Sequence, residues 1–434
     1  MAVEALVGLK PNFIDIESRD GTKVDLTSST LFCDYFEDLL EPLVSMTVTV
    51  MSSYNLISEL PIRGGEIVRM SLELASGTFE KDMYVYKASG GDFQKQSGTY
   101  VLHLTSHYCL ANETVRCVKR YSEKSTIDKH VKNILENDLK IPTDRIKKIE
   151  ETSNTYGFYG NNRKPFQICQ WLCPKSISKN TVSGVSGSDG TDRGTAKGTA
   201  GFFFYETADG FSFRSIDSLV SSTKIQDGSA DAENYTTYFS KGFGGIDSNK
   251  LENNFQIINH FMDRNIDLRK AFGIGMYSND TYFYNTLTHG VSKYTYTLKD
   301  QIKDSHLGQQ SVGGAPEVFG SGPSRFLVRT SDHGILGAEG QLENSGRDDA
   351  DMSKSFARYN LLFTQALNIL IPCNINLKAG DVIKCELPRL KEGQSSEIDL
   401  ELSGHYLIKE VRHHMEIGEN TTSLKLIRDS YGFS

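Results

Sequence analysis

An interrupted duplication constrains this chain more than any other feature. Leu60-Pro-Ile-Arg-Gly-Gly-Glu-Ile-Val-Arg-Met-Ser-Leu72 aligns without a gap on Ile375-Asn-Leu-Lys-Ala-Gly-Asp-Val-Ile-Lys-Cys-Glu-Leu387, with Gly65/Gly380, Glu66/Asp381 and Arg69/Lys384 in register. Both copies alternate in phase: Val68, Met70 and Leu72 match Ile383, Cys385 and Leu387 on one face, while Arg69 and Ser71 match Lys384 and Glu386 on the other. A period of two predicts a half-buried strand in each copy. Downstream, Tyr84-Val-Tyr-Lys87 is matched to Tyr406-Leu-Ile-Lys409, and thirteen positions beyond each Lys come Tyr100–Leu104 and Thr422–Leu426. The second copy carries about seven extra residues in a polar loop around Lys391–Ser396, where insertion costs little.

The first copy opens with Asp15–Val24, a hairpin with Asp20-Gly21 at its turn. Its counterpart lies far upstream of the second copy, at Tyr205-Glu-Thr-Ala-Asp-Gly-Phe-Ser-Phe213, with Glu17/Glu206, Asp20/Asp209 and Gly21/Gly210 in register. The fold class expected is α+β, mainly β: two similar antiparallel β-barrels, the second split by an insertion. The first barrel covers 1–110, the second 201–222 and 355–434, and a middle α+β domain takes 111–200 and 223–354.

Within the middle region, Ser125-Thr-Ile-Asp128 has capping-box spacing, and Ile127, Val131, Ile134, Leu135 and Leu139 follow at helical intervals until Pro142. Pro165 opens a second predicted helix over Phe166–Leu172, stopped by Pro174. Phe255–Phe261 and Tyr282–Tyr296 read as further strands of this domain. Ser183–Gly201 and Gln309–Ser324 are rich in Gly and Ser and read as connectors, the first as a mobile loop open to proteolysis.

Composition narrows the function classes. At 434 residues, with 38% hydrophobic and 24% charged residues, the chain has enough apolar side chains to fold into several packed units. Its net charge of −8 gives no global electrostatic reason to grip nucleic acid or anionic membrane. The N-terminus lacks a basic, then apolar leader, and no stretch approaches the ~20 apolar residues of a membrane helix. The seven cysteines are odd in number and scattered, as expected of reduced, buried thiols.

Catalytic signatures are sparse. There is no Gly-x-Ser-x-Gly, Gly190–Thr199 fails phosphate-loop spacing, and Gly242-Phe-Gly-Gly245 reads as a turn. Cys169 and Cys173, four apart, lack two further zinc ligands, and Cys109 and Cys117 read likewise as core thiols. His103 and His107 fall on one strand face about 13 Å apart. His405, His413 and His414 lie near a strand pair without an obvious carboxylate to orient them. The carboxylate groups Glu37/Asp38 and Asp348/Asp349/Asp351 sit in polar surroundings and read as solvated surface. No catalytic residue, cofactor or metal site is assigned, and the chain is not expected to be an enzyme.

The run Gly201-Phe-Phe-Phe-Tyr-Glu-Thr-Ala-Asp-Gly-Phe-Ser-Phe-Arg-Ser-Ile-Asp217 resembles the hairpin of baseplate hub proteins of T-even-like contractile-tailed phages. Ile371–Asp381 and Leu402–Lys409 resemble the second barrel of that family, apart from Cys373 where a Gly is expected, and Ser125–Leu139 and Lys164–Pro174 sit where the family keeps its middle domain. The resemblance implies tube-type barrels and a homotrimer whose two barrels per chain make a pseudo-sixfold ring. The family is related to the amino-terminal hub region of type VI secretion spike proteins. The ring's implied partners are the tail tube or a tube initiator, a central spike or spike-lysozyme, and baseplate wedge proteins, within a virion tail baseplate made in the host cytoplasm. DNA would pass through unbound, and Glu73, Glu66 and Asp381 are candidates for the channel's negative field. The alternatives are the hub of a bacterial injection system or tailocin, and a tail-associated hydrolase.

Overall fold

The computed structural model describes residues 10–52, 60–74, 76–94, 97–179, 201–225, 236–240, 255–264, 267–298, 307, 310–311, 316–320, 322–331, 348–389, 398–416 and 420–432. The molecule is mainly β, with short helices between 107 and 175 and around 216–225, 268–273 and 348–361. A large sheet runs in the order Asn259–Arg264, Gln365–Pro372, Asn420–Arg428, Gly404–Glu416, Thr30–Asp38, Ser45–Ser52, Ser97–Thr105, Gly77–Gln94, Ile67–Leu74, Lys10–Glu17, Lys23–Asp25, with Val382–Glu386 and Thr237–Phe239 branching from Gly404–Glu416. Two hydrophobic cores form against it. Val48, Val68, Met70, Leu72, Leu102 and Leu104 lie in one, and Leu367, Ile369, Ile383, Cys385, Leu424 and Leu426 in the other.

The repeat is present down to individual hydrogen bonds. Gly65 and Gly380 have φ of 90° and 89°, a left-handed conformation that a residue with a Cβ adopts only under strain. Gly65 N donates to Val85 O at 2.6 Å and Val85 N to Glu66 O at 2.9 Å; Gly380 N donates to Ile408 O at 2.9 Å and Ile408 N to Asp381 O at 2.8 Å. Just beyond, one residue is extruded from each long strand: Tyr86 between Val85 and Lys87, Lys409 between Ile408 and Glu410. Strand order is likewise duplicated, since Ile67–Leu74, Gly77–Gln94, Ser97–Thr105, Ser45–Ser52 and Thr30–Asp38 pair in the same antiparallel succession as Val382–Glu386, Gly404–Glu416, Asn420–Arg428, Gln365–Pro372 and Asn259–Arg264.

Four sequence expectations are corrected. The match of Tyr84 to Tyr406 is one residue out of register, because Ile67 opposes Tyr84 whereas its counterpart Val382 opposes Leu407. Tyr406 is buried and replaces Met83, so the shared tyrosine is a coincidence of composition.

The hairpin Phe202–Thr207/Gly210–Ser215 does not join the large sheet as a strand pair of the second barrel. It pairs in parallel with Ile146–Ile149 in a separate three-stranded sheet. Phe202, Phe204, Phe211 and Phe213 face the core built by Ile127, Val131, Ile134, Leu135 and Phe166, and only the opposite face, with Phe203 and Tyr205, meets Leu362, Leu407 and Ile427. Aromatics on both faces made the strand pair cohesive with either neighbour, and the free edge of Ile146–Ile149 decided which.

The place expected for the hairpin is taken by Thr237–Phe239, parallel to Val382–Glu386, where Lys10–Glu17 runs antiparallel to Ile67–Leu74. Asn259–Arg264, expected in the middle domain, instead pairs with Gln365–Pro372. Ser278–Tyr284 and Val291–Thr297 do form a separate sheet, with Arg325–Thr330.

Locally, the first hairpin turns at Gly21 with φ 87°, as its Asp-Gly pair predicts. The second predicted helix is Pro165–Leu172, followed by a 3-10 turn over Cys173–Lys175. The first is Ile127–Asn133 continuing as a wider turn over Ile134–Asp138, but its capping box is absent. Asp128 instead accepts from Thr152 N at 3.2 Å and Thr152 Oγ1 at 2.8 Å, tying the helix to a neighbouring segment. Most of Ser183–Gly201, the loop Lys391–Ser396 and much of Gln309–Ser324 lie outside the described residues.

Candidate functional site: a carboxyl-bound junction

Strand Thr30–Asp38 and the arm of Gly404–Glu416 beyond Glu410 pair antiparallel, and this seam joins the two repeated units. Alternation along Thr30–Asp38 sends Tyr35 and Glu37 inward and Asp34 to the opposite face. Glu37 is 2% exposed, and its carboxyl accepts from Tyr35 Oη at 3.0 Å, Ala208 N at 2.6 Å and Ala379 N at 2.9 Å. One side chain thus binds the first unit, the hairpin turn and the loop before Val382–Glu386. Burial pushes the Glu37 carboxyl up to about 7 despite these three donors.

The hairpin turn is held from every side. Ala208 O accepts from Lys81 Nζ at 2.6 Å and Arg145 at 3.3 Å, and Asp209 pairs with Lys378 at 2.5 Å and Lys147 at 3.3 Å. Glu206, fully buried, takes Ser106 Oγ at 2.9 Å and Val44 N at 3.3 Å. Its other oxygen has no hydrogen-bond partner among the described residues, and burial raises this carboxyl to about 7 as well. Glu150 binds the base of the same hairpin through Ser215 N at 2.8 Å, Ser215 Oγ at 2.7 Å and Ser178 Oγ at 2.5 Å. These carboxyls are spent on backbone and hydroxyl donors and closed off from solvent, an arrangement that fixes geometry.

On the other face of the seam Asp34 receives Arg412 through two bonds, at 3.0 and 3.1 Å, and His414 Nδ1 at 2.7 Å. Here the reading of the histidines is corrected, since Asp34 is the orienting carboxylate the sequence did not reveal. His413 points the opposite way, buried, stacked on Tyr35 with ring centroids 6.1 Å apart and 2.9 Å from Thr422 Oγ1. Burial depresses it to about 4. His405 lies further back, opposite Lys384, so the three do not converge. His103 and His107 part company too: His103 is 3.3 Å from Ser89 Oγ, while His107 starts the helix His107–Thr114 against Tyr84.

Glu37 and Asp38, expected on the surface, divide: Glu37 is buried as above and Asp38 pairs with Lys409 at 3.2 Å. Asp348, Asp349 and Asp351 fall in the first turn of the helix Asp348–Leu361. Glu66 is 1% exposed and its carboxylate accepts from Arg63 N and Gly64 N, both at 2.9 Å, so it is removed from any channel lining; Glu73 is exposed. Cys169 and Cys173 are core thiols against Phe166 and Leu172, and all seven cysteines are unpaired. Cys373, where the family pattern has Gly, fills the first core beside Met415. Among the described residues no helix is long and apolar enough to cross a membrane. A cavity of about 240 Å³ lies between Lys270, Met276, Tyr277, Phe363, Thr364 and Tyr431; the carboxylate at its rim, Asp267, caps its own helix through Lys270 N at 2.9 Å.

Sequence reasoning missed Glu206 and Glu150 as buried carboxyls. The signal for Glu206 was its place directly after four consecutive aromatics; Glu150 offered none.

No protein-family model matches the sequence, and no curated protein matches it. Solved structures do match the fold. A 43 kDa tail protein of prophage MuSo2 from Shewanella oneidensis superposes with a TM-score of 0.52 at 9% identity, covering 96% of this chain and 98% of its own. A tail protein from Neisseria meningitidis MC58 gives 0.51 at 11% identity, with 97% of each chain covered. A component of the E. coli type VI secretion system, described as structurally similar to T4 bacteriophage tail proteins, gives 0.43 at 10% identity over 98% of this chain and 78% of its own. The chain therefore has the fold of phage tail proteins, over nearly its whole length, as the hub-like hairpin and repeat led one to expect.

Proposed function

We propose that this protein is a structural baseplate hub subunit of a phage contractile tail. Three chains form a pseudo-sixfold ring that joins the tail tube, or its initiator, to a central spike, with wedge proteins around it and DNA passing through. The observation that carries this reading is the duplicated five-strand succession with its duplicated turn and bulge: a ring of six similar units needs only three chains if each contributes two. The buried carboxyl junction supports it, because a rigid angle between the two units is what a closed ring requires. The fold shared with tail proteins along almost the full chain is consistent with the same role.

The protein acts by shape and not by chemistry in this reading. The most perturbed carboxyls, Glu37 and Glu206, are sealed within the junction. Light scattering on purified protein, alone and with its spike, should give the mass of three chains, and electron-microscopy class averages should show a threefold ring. A strictly monomeric protein even with spike present would overturn the proposal, and cell-wall turnover by the purified chain would favour a tail-associated hydrolase.

A further inference from the structure

The cavity of about 240 Å³ lies apart from the carboxyl junction and takes no part in fixing it. Three segments distant in sequence enclose it: the helix Leu268–Gly273 with the turn after it, the end of the helix Asp348–Leu361, and Ser430–Tyr431. The turn folds back on its helix because Ile274 N donates to Lys270 O and Met276 N to Ala271 O, both at 2.9 Å. Ala271, Ile274 and Met276 thereby form one apolar wall, and Phe363 supplies another. Protein interiors close-pack and leave few voids larger than a water molecule, so an open space of this size among apolar side chains calls for an occupant.

Two polar groups of its lining lack a partner among the described residues. Tyr277 is 5% exposed, yet its hydroxyl makes no hydrogen bond there, where a buried phenol ordinarily finds one. Lys270, exposed at the mouth, makes no ion pair among them. Burial raises the Tyr277 hydroxyl, and burial together with the neighbouring Tyr277 pushes Tyr431 up to about 12, so both phenols keep their protons at neutral pH. Asp267, also at the mouth, commits one carboxylate oxygen to its helix cap through Lys270 N at 2.9 Å.

We propose that this cavity is a binding site for a bulky apolar group that carries a carboxylate. The apolar group enters against Met276 and Phe363, the carboxylate meets the Lys270 ammonium at the mouth, and the Tyr277 hydroxyl donates to an oxygen of the same ligand. Size and charge select this class. A benzene ring occupies a cavity of about 150 Å³, so the space here takes one ring with a short linker. Lys270 and Asp267 together leave the mouth near neutral, so one negative charge on the ligand is matched and a polyanion is not. Such a group comes either as a free α-amino acid, whose ammonium meets the second oxygen of Asp267, or as the end of a polypeptide, whose acylated nitrogen cannot.

Titration of the full chain with N-acetyl-L-phenylalanine and with its uncharged amide, read by saturation-transfer NMR, tests the site. The acid should saturate with a Kd on the order of 1 mM or below, and should bind about threefold or more tighter than the amide. Lys270→Met keeps the apolar stem at an exposed position and should erase that preference, while Tyr277→Phe should weaken both probes. Ile274→Trp fills the cavity from a half-buried position and should abolish both, with far-ultraviolet circular dichroism unchanged in all three variants. Free L-phenylalanine separates the sources: tighter binding than the N-acetyl acid supports a free amino acid held by Asp267, and weaker binding supports a chain end. The proposal is overturned by absence of saturation up to about 10 mM of either probe, by equal affinity for acid and amide, or by an acid preference that survives Lys270→Met. None of these outcomes bears on the ring, which is tested by mass.

Discussion

Glu37 shows how much one residue decides in this molecule. Its carboxyl is the common acceptor for Tyr35, Ala208 and Ala379, so Glu37→Ala leaves a buried amide, a half-buried amide and a buried hydroxyl unpaired. The expected loss is about 3 kcal/mol or more in urea unfolding, since each buried orphan costs about 1–3 kcal/mol. The pH dependence has a defined sign. Glu37 and Glu206 hold their protons to about 7 in the fold, against an ordinary 4.5, so between those values the folded state binds more protons and stability falls as pH rises. His413 acts oppositely: lowered from 6.5 to about 4, it removes stability as pH falls through that window. Unfolding midpoints should therefore peak in mildly acid buffer and decline toward about pH 8. The stability deficit of Glu37→Gln relative to the parent should shrink from about pH 6 to about pH 8; a constant deficit would show that Glu37 is ionised throughout. Gly210 is a second sensitive point. With φ 128°, an added Cβ would sit 2.1 Å from Arg145 O, and Gly210→Ala should cost about 2 kcal/mol or more by thermal denaturation.

At the scale of elements, the helix Ile127–Asn133 separates two explanations of its N-terminus. Thr126 occupies the cap without a side-chain bond to the helix backbone, and Asp128 clamps Thr152. Ser125→Ala should therefore be nearly silent, whereas Asp128→Ala should cost about 1–2 kcal/mol in chemical denaturation; the reverse order would restore the capping box. The hairpin belongs energetically with the sheet it joins. Phe211→Ala removes a fully buried ring from the core shared with Phe166 and Phe204 and should cost about 4 kcal/mol. Hydrogen exchange should show Ile146–Ile149 deprotected together with the hairpin in that variant, while Val382–Glu386 keeps its protection.

At the scale of the whole molecule, the proposed ring of three chains would triple the charge of −8, and a channel through such an acidic body would repel phosphate. No measurable binding of duplex DNA is expected by fluorescence anisotropy at physiological salt, and tight, salt-sensitive binding would contradict the conduit. In the proposed channel Glu66 would not face the lumen, since its carboxylate is folded under its own turn, and exposed positions such as Glu73 remain the candidates.

What the sequence determined by itself was what depends on local chemistry. The in-phase alternation of Val68, Met70 and Leu72 with Ile383, Cys385 and Leu387 required two equivalent strands, and Gly65 and Gly380 required two equivalent turns, because side-chain period and backbone φ are properties of short segments. Pro165 likewise set the start of its helix through its fixed φ. Only tertiary structure decided what depended on partners distant in the chain. The long strands run one residue away from the match of tyrosines, since register answers to opposing strands and not to identity. The free edge of Ile146–Ile149 captured the hairpin, leaving Thr237–Phe239 to fill its place. Glu37 read as surface because a carboxylate beside an aspartate ordinarily is; three donors from three distant segments, none visible in its own neighbourhood, made it the centre of the junction.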